Sequence, residues 1–130
     1  MTDTPLVVIV DDDVSVRHAL RALMRSLGYR AETFARGEDF LQSQLIARTS
    51  CLIADVQLPG ITGPELHARL ISSGAPVPTL LITAYPDDGV RARALAAGAV
   101  GYLSKPFAED QLLPYLHAVL HDKNGAGARP

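Results

Sequence analysis

The amino-acid sequence predicts one α/β domain with a five-stranded parallel sheet and helices on both of its faces. Short apolar runs alternate strictly with amphipathic stretches along the chain, and this alternation is typical of parallel sheets built through right-handed crossovers. The apolar runs are rich in β-branched residues and nearly continuous, as strands covered on both faces should be. A length of 130 residues fits one domain and leaves little room for a second.

The first two strand–helix units occupy the N-terminal third of the chain. Leu6–Val10 is a continuous β-branched run and predicts the first strand. Apolar residues at helical spacing over 16–27 predict the first helix, and Gly28 is a suitable stop. A weaker strand is expected over 29–34, and a second helix over 37–47.

The remaining three units follow the same pattern. Strands are expected over 51–54, 79–82 and 100–103, and helices over 64–72, 88–97 and 109–121. The helix over 64–72 begins with a proline in its first turn, where no backbone hydrogen bond is lost. Pro114 lies inside the last helix, so we expect a kink or a displaced start there.

Composition and charge limit the classes of function. Nearly half of the residues are apolar (48%), a fifth are charged (20%), and the net charge of -2 suggests neither a nucleic-acid-binding nor a membrane-binding surface. The single cysteine, Cys51, lies in an apolar run and is expected to fill the core of a reduced, cytoplasmic protein. The predicted domain spans residues 1–122, and the glycine- and alanine-rich segment 123–130 is expected to be a flexible tail or the start of a linker.

Chemically capable residues follow four of the five predicted strands. Three aspartates at 11–13 follow the first strand, Asp55 the third and Thr83 the fourth, and Lys105 comes shortly after the fifth. Because the carboxyl ends of parallel strands share one edge of the sheet, these side chains are expected to converge on one site. Asp13 directly precedes a helix and is best explained as its N-cap, which leaves Asp11 and Asp12 as the acidic pair.

The chemistry of this cluster favours phosphoryl transfer. Carboxylates that lie close together repel one another unless a cation lies among them, and oxygen ligands suit Mg²⁺. Asp55 could then attack phosphorus and form an acyl phosphate. The Lys105 ammonium and the Thr83 hydroxyl would balance charge on the phosphoryl oxygens. Lys105 is one of only two lysines among twelve basic residues.

These residues resemble the CheY-like receiver domain of bacterial response regulators. The resemblance rests on Asp-Asp-Asp at 11–13, Asp-Val-Gln-Leu-Pro-Gly at 55–60 with Gly63, Thr-Ala at 83–84, and Lys-Pro-Phe at 105–107. It runs from about residue 6 to residue 121, and the amino-acid sequence over 98–107 is most similar to that of receivers of the FixJ type. The resemblance implies a flavodoxin-like (βα)5 fold with strand order 2-1-3-4-5.

The resemblance also implies roles for the clustered residues. Asp55 would accept phosphate from a sensor histidine kinase or a phosphotransfer protein. The metal, Mg²⁺ with Mn²⁺ as a possible substitute, would be held by Asp12, Asp55 and the backbone carbonyl of Gln57, and by Asp11 through water. Thr83 and Lys105 would contact the phosphoryl group. A cis peptide bond before Pro106 is expected as well.

Signal output is expected at the surface formed by the fourth helix, the fifth strand and the fifth helix. The resemblance implies that Tyr102 turns inward when Thr83 moves toward the phosphate, so both belong to the switch. The same surface would include Arg91, Arg93 and Tyr115, and would contact an output domain or a second copy of the chain. Gln57 and Tyr85 occupy positions at which the family adjusts the lifetime of the phosphate.

Two alternatives compete with this interpretation. A haloacid-dehalogenase-like phosphatase would use Asp11 as its nucleophile, but Ser15, where that motif has Thr or Val, and the lack of a segment that fits a cap domain argue against it. A module of the same fold that ignores phosphate would have no need for the acidic pair, Thr83 and Lys105. The parent protein is expected either to continue into a DNA-binding domain beyond Pro130 or to be a stand-alone receiver.

Overall fold

The structure, a computed structural model, describes residues 4–121, which form five strands and five α-helices. The strands are parallel and lie in the order β2-β1-β3-β4-β5, which confirms the predicted fold. The strands are β1 (Leu6–Val10), β2 (Arg30–Phe34), β3 (Cys51–Asp55), β4 (Thr79–Thr83) and β5 (Gly101–Ser104). The helices are α1 (Val14–Ser26), α2 (Gly37–Gln42), α3 (Gly63–Ser72), α4 (Asp88–Ala96) and α5 (Glu109–Leu120).

Alternate residues of the central strands face two separate apolar layers. On one side, Val8 and Leu52 pack with apolar residues of α2, α3 and α4. On the other side, Ile9 and Ile53 pack with apolar residues of α1 and α5. Every residue of β1, β3 and β4 is buried, as continuous apolar strands between two helical layers should be. Burial raises the pKa of the Cys51 thiol to about 12, which is consistent with core filling.

The prediction for the second helix is wrong at its C-terminal end. Helix α2 ends at Gln42 rather than near residue 47, and a short 3-10 turn (Ile46–Arg48) follows. The Ser43 hydroxyl donates to the Phe40 carbonyl and accepts the Leu45 backbone N–H. A serine that satisfies nearby backbone groups in this way competes with helix continuation, and the apolar pattern does not reveal this competition.

Pro114 does not displace the start of the last helix. Helix α5 begins at Glu109, runs through Pro114 and ends at Leu120. Pro114 lies on the exposed face, where water can reach the backbone carbonyl that loses its donor. The opposite face carries the buried leucines Leu112 and Leu116, so the core contact of α5 is kept.

The chain termini lie outside the described residues. The segment 123–130, predicted as a tail or the start of a linker, therefore has no structural description here, and neither does the exact end of the domain at residue 122. Within residues 4–121, none of the helices is both long enough and apolar enough to cross a membrane.

Candidate functional site

The acidic cluster lies at the carboxyl edge of two adjacent central strands. Val10 pairs with Ala54, so the residues that follow, Asp11 and Asp55, emerge side by side. One carboxylate oxygen from each of Asp11, Asp12 and Asp55 lies within 4.8 Å of the other two. Asp11 and Asp55 are buried, whereas Asp12 is exposed. The strand order thus brings together residues that are far apart in the sequence.

Lys105 reaches this cluster from the end of β5. Its Nζ donates hydrogen bonds to Asp11 Oδ2 at 2.8 Å and to Asp55 Oδ2 at 3.0 Å. Its backbone N–H donates to the Thr83 carbonyl at 2.7 Å, and this hydrogen bond attaches the start of the loop after β5 to the end of β4. The peptide bond between Lys105 and Pro106 is cis, as expected. Two charge-assisted hydrogen bonds from one ammonium therefore link the two buried carboxylates.

Burial and pairing act in opposite directions on the charges of this cluster. Burial raises the pKa of Asp11 above its ordinary value, and the hydrogen bond from Lys105 only partly offsets that rise. Burial lowers the pKa of Lys105, but its hydrogen bonds to Asp11 and Asp55 outweigh that effect and leave the pKa raised. Lys105 is therefore a firmly charged group, and Asp11 is harder to ionise than an ordinary aspartate.

Short turns fix the second oxygen of each buried carboxylate. Asp11 Oδ1 accepts the Asp13 backbone N–H at 2.9 Å, and Asp55 Oδ1 accepts the Gln57 N–H at 3.0 Å. The Asp13 side chain accepts the backbone N–H groups of Ser15 and Val16, so its predicted role as the N-cap of α1 is confirmed. Each buried carboxylate thus has one oxygen held by the backbone and one held by Lys105.

Gly63 allows α3 to begin directly beneath Asp55. A Cβ atom at residue 63 would overlap the Asp55 backbone carbonyl, and the Gly63 N–H donates to the Val56 carbonyl at 3.1 Å. The helix start is secured by the capping box of Thr62 and Glu65. Both features fix the backbone that carries Asp55 and the loop after it.

The Thr83 hydroxyl is held by two neighbours on the other side of the cluster. It donates to Gln57 Oε1 at 2.7 Å and accepts the Tyr85 backbone N–H at 2.9 Å. Thr83 is buried, whereas the side chain of Tyr85 is largely exposed, with a relative accessible surface of 72% for the residue. Gln57 and Tyr85 therefore both contact Thr83, one through its side chain and the other through its backbone.

Tyr102 points into the protein. It is only 9% exposed, and its hydroxyl oxygen accepts the Asp87 backbone N–H at 3.1 Å. Asp87 is also the N-cap of α4, since its side chain accepts the Val90 N–H. Tyr102 thus connects β5 to the start of α4. Of the other predicted surface residues, Arg91 and Arg93 are exposed, and the Tyr115 ring packs against Gly101.

Two contacts near the cluster could not be predicted from the sequence. The Arg17 guanidinium donates to the Asp11 carbonyl oxygen at 2.7 Å, although the helical pattern predicts only a residue off the apolar stripe of α1. Glu38 Oε2 accepts the Ile61 backbone N–H at 3.1 Å. No spacing in the sequence links residue 38 to residue 61, because their contact depends on how α2 lies against the loop after β3.

The described residues form a parallel sheet with an acidic cluster and a lysine at its carboxyl edge, and comparison with known proteins identifies the family that has this arrangement. Residues 7–117 match the family model described as the response regulator receiver domain, so the chain belongs to that family. It is thus a domain of signalling proteins rather than of metabolic enzymes.

Relatives of known name fall in the same family. The chain is 39% identical over 108 residues to nodulation protein W of Bradyrhizobium diazoefficiens, with 83% of this chain and 48% of that protein covered. It is 30% identical over 126 residues to the transcriptional regulatory protein FixJ of the same organism, with 97% and 62% covered. The chain therefore spans about half the length of the curated relatives that it matches.

A solved structure supports the fold independently. The response regulator receiver protein from Burkholderia phymatum superposes with a TM-score of 0.76 at 47% sequence identity, covering 90% of this chain and 95% of that chain. Receiver domains bind Mg²⁺ at an acidic pocket, and the three clustered aspartates of this chain offer such a pocket. The donor set fits the ion, because all the donors are carboxylate oxygens and three carboxylates exceed the single ammonium in charge.

Proposed function

We propose that Asp55 is the phosphoacceptor of this domain, and that it receives a phosphoryl group from the phosphohistidine of a sensor histidine kinase or phosphotransfer protein in the cytoplasm. One observation carries the proposal. The Asp55 carboxylate lies at a strand end, and Lys105 and two further carboxylates lie at the same edge. Asp55 Oδ2 lies 3.0 Å from the Lys105 ammonium, and a carboxylate oxygen is a group that can attack phosphorus.

The transfer step uses groups that are already in place. An Asp55 carboxylate oxygen forms a bond to phosphorus while the bond between phosphorus and the donor nitrogen breaks. The electron pair of that bond leaves with the imidazole nitrogen, which takes a proton from water. Lys105 then neutralises charge on the phosphoryl oxygens, and the Thr83 hydroxyl donates to one of them after leaving Gln57. Both groups lie at the carboxyl edge, beside Asp55 and Gln57 respectively.

The proposed metal ligands are Asp12, Asp55 and the backbone carbonyl of Gln57, with Asp11 acting through water. When bound, Mg²⁺ (or Mn²⁺) supplies positive charge that offsets the carboxylates and the incoming phosphate. The excess of carboxylates over ammonium groups in the cluster supports this assignment. Asp12 is the exposed member of the cluster and can approach the ion from the solvent side.

The proposed switch couples Thr83 to Tyr102. If Thr83 leaves Gln57 for the phosphoryl group, the loop 84–87 moves with it, because Tyr85 N–H is bonded to Thr83. Asp87 N–H is in turn bonded to Tyr102. The surface of α4, β5 and α5 would pass this change to an output domain or a second copy of the chain. Gln57 and Tyr85 are proposed to adjust the phosphate lifetime, since each contacts Thr83.

The proposed domain spans residues 1–122, with 123–130 as a tail or the start of a linker. Two arrangements fit this proposal. In the first, the domain is the N-terminal part of a FixJ-type transcriptional regulator, which the relatives' greater length supports. In the second, it is a stand-alone receiver. The domain itself is not proposed to bind nucleic acid or membrane.

Incubation with Mg²⁺ and acetyl phosphate tests the proposal. Wild type should become labelled, as seen on a phosphate-retarding gel, whereas Asp55→Asn should not, because an amide cannot form the acyl phosphate. Asp39→Asn, an exposed change on α2, is the matched control and should be labelled normally. Labelling of Asp55→Asn would point to the phosphatase alternative, in which Asp11 is the nucleophile.

A further inference from the structure

A side chain from α2 is attached to the loop that carries the proposed metal-binding carbonyl. This loop, residues 56–62, connects β3 to α3 and contains Gln57 near its start. Glu38 Oε2 accepts the Ile61 backbone N–H at 3.1 Å, a contact between residues 23 positions apart. The Glu38 carboxylate also lies against Gly60, where a Cβ atom would collide with it. Glu38 therefore contacts two consecutive residues of the loop.

Apolar packing beside this hydrogen bond also holds α2 against the loop. Gly37 lies so close to Ile61 that an added Cβ would be 3.0 Å from the Ile61 side chain. Ile61 itself is buried. Gly60 has a φ of 72°, a left-handed conformation that glycine adopts without strain. The loop thus turns at Gly60 directly against the Glu38 carboxylate, and Ile61 fills the space left by the missing side chain of Gly37.

The other backbone N–H groups of the loop that bond to side chains use partners in the loop's own flanks. Gln57 N–H donates to Asp55, and Thr62 N–H donates to Glu65. Among the described residues, Glu38 is the side chain from a separate element that accepts a backbone N–H of this loop. Hydrogen bonds from its own backbone and from Ile61 lower the pKa of Glu38, so it is a charged acceptor at neutral pH.

We propose that Glu38 is a positioning residue for phosphoryl transfer on Asp55. By holding Gly60 and Ile61, it fixes the C-terminal half of the loop whose first turn carries the Gln57 carbonyl, the proposed metal ligand. Loss of this contact leaves apolar packing of the loop, including that of Ile61, without the hydrogen bond that fixes its backbone, so more of the loop must be ordered when the ion binds. This inference rests on the proposed function, and it adds a residue that touches neither the ion nor the phosphoryl group.

The test measures the rate of labelling by acetyl phosphate as a function of Mg²⁺ concentration. In Glu38→Ala the half-saturating Mg²⁺ concentration should rise about three- to ten-fold, the range expected when one hydrogen bond is lost. The rate at saturating Mg²⁺ should stay within about two-fold of wild type, because Asp55 and Lys105 are untouched. Glu38→Gln keeps an oxygen acceptor at the same reach and should restore most of the Mg²⁺ affinity.

Two further variants keep the test decisive. Glu38→Asp retains the charge but shortens the reach, so it should raise the half-saturating Mg²⁺ concentration even if the alanine variant does not fold. Asp39→Ala, in the same turn, is exposed and should leave it unchanged. A lower melting temperature in Glu38→Ala and Glu38→Asp with unaltered Mg²⁺ dependence would overturn the inference. Failure of wild type to be labelled on Asp55 would overturn the proposed function instead.

Discussion

Helices α3 and α4 each follow a strand that supplies a site residue, yet they are attached to the protein in different ways. Helix α3 begins directly against the Asp55 carbonyl at Gly63, and it buries Leu66, His67 and Leu70. Helix α4 begins five residues after Thr83, and of its nine residues Ala94 alone is buried. A groove of about 410 Å³ lies between the two helices.

This difference separates the fixed part of the domain from the part that can move. Asp55, the proposed phosphoacceptor, must keep its geometry relative to Lys105, and α3 holds the backbone that follows Asp55. The switch needs an element with two arrangements of similar free energy. A helix with one buried side chain loses little packing when it shifts, so α4 suits that role. Three predictions test this contrast, in order of decreasing expected effect.

The largest effect is expected for Gly63→Ala. A methyl group at residue 63 meets a backbone carbonyl that cannot turn away, so the overlap should outweigh the higher helix propensity of alanine. We expect a loss of about 2 to 3 kcal/mol in the free energy of unfolding, together with slow labelling by acetyl phosphate. Urea denaturation and the labelling assay measure the two effects.

Gly89→Ala in α4 is the matched control for that change. Its added methyl group would lie 3.2 Å from Asp87 Oδ1 and 3.4 Å from the Arg93 side chain. Both neighbours are side chains that can adjust, and alanine favours the helix, so stability should change by less than about 1 kcal/mol. Equal losses in the two variants would contradict the contrast between α3 and α4.

A smaller effect is expected from the protonation of His67, which lies in the groove between the two helices. Burial lowers the pKa of His67 below its ordinary value of 6.5. Above pH 6.5 the side chain is neutral in both the folded and unfolded states and adds no pH dependence. As the pH falls through 6.5, the unfolded state takes up the proton first, so stability should fall by up to about 1.4 kcal/mol per pH unit until the lower, folded pKa is reached.

Urea denaturation of wild type and His67→Gln at pH 7.5 and pH 5.5 measures how much the protonation of His67 lowers the free energy of unfolding. Glutamine is neutral at both values, so the variant should lose less stability than wild type between them. The other histidines and the carboxylates titrate alike in both proteins and cancel in the comparison. An identical pH dependence in the two proteins would show that folding does not lower the pKa of His67, contrary to this prediction.

The smallest effect is expected from the helix caps. Asp87 caps α4 and Thr62 caps α3, and replacing either by alanine should cost about 1 kcal/mol. The location of the loss should differ, however. In Asp87→Ala the amide protons of α4 should exchange faster while those of α3 keep their protection, because α4 can open alone. Native-state hydrogen exchange checks this, and faster exchange throughout the domain would argue against an independent α4.

The sequence was sufficient to predict the fold and to predict that the site residues lie close together. Strand and helix periods are local signals, and strand-end positions converge wherever a parallel sheet forms, which is why Asp11, Asp55 and Lys105 could be placed together. The end of α2 was missed because it depends on the Ser43 hydroxyl rather than on apolar spacing. The contacts of Glu38 with Ile61 and of Gln57 with Thr83 depend on tertiary placement, to which no sequence period corresponds.

The two partners that hold the charge cluster together lie 94 residues apart in the chain. During synthesis, the three aspartates leave the ribosome long before Lys105 does. A nascent chain that ends before β5 has the crowded carboxylates without the ammonium that joins them. The pocket is therefore completed only when the last strand has been added, and a prematurely terminated chain would carry Asp11 and Asp55 without the ammonium that bridges them.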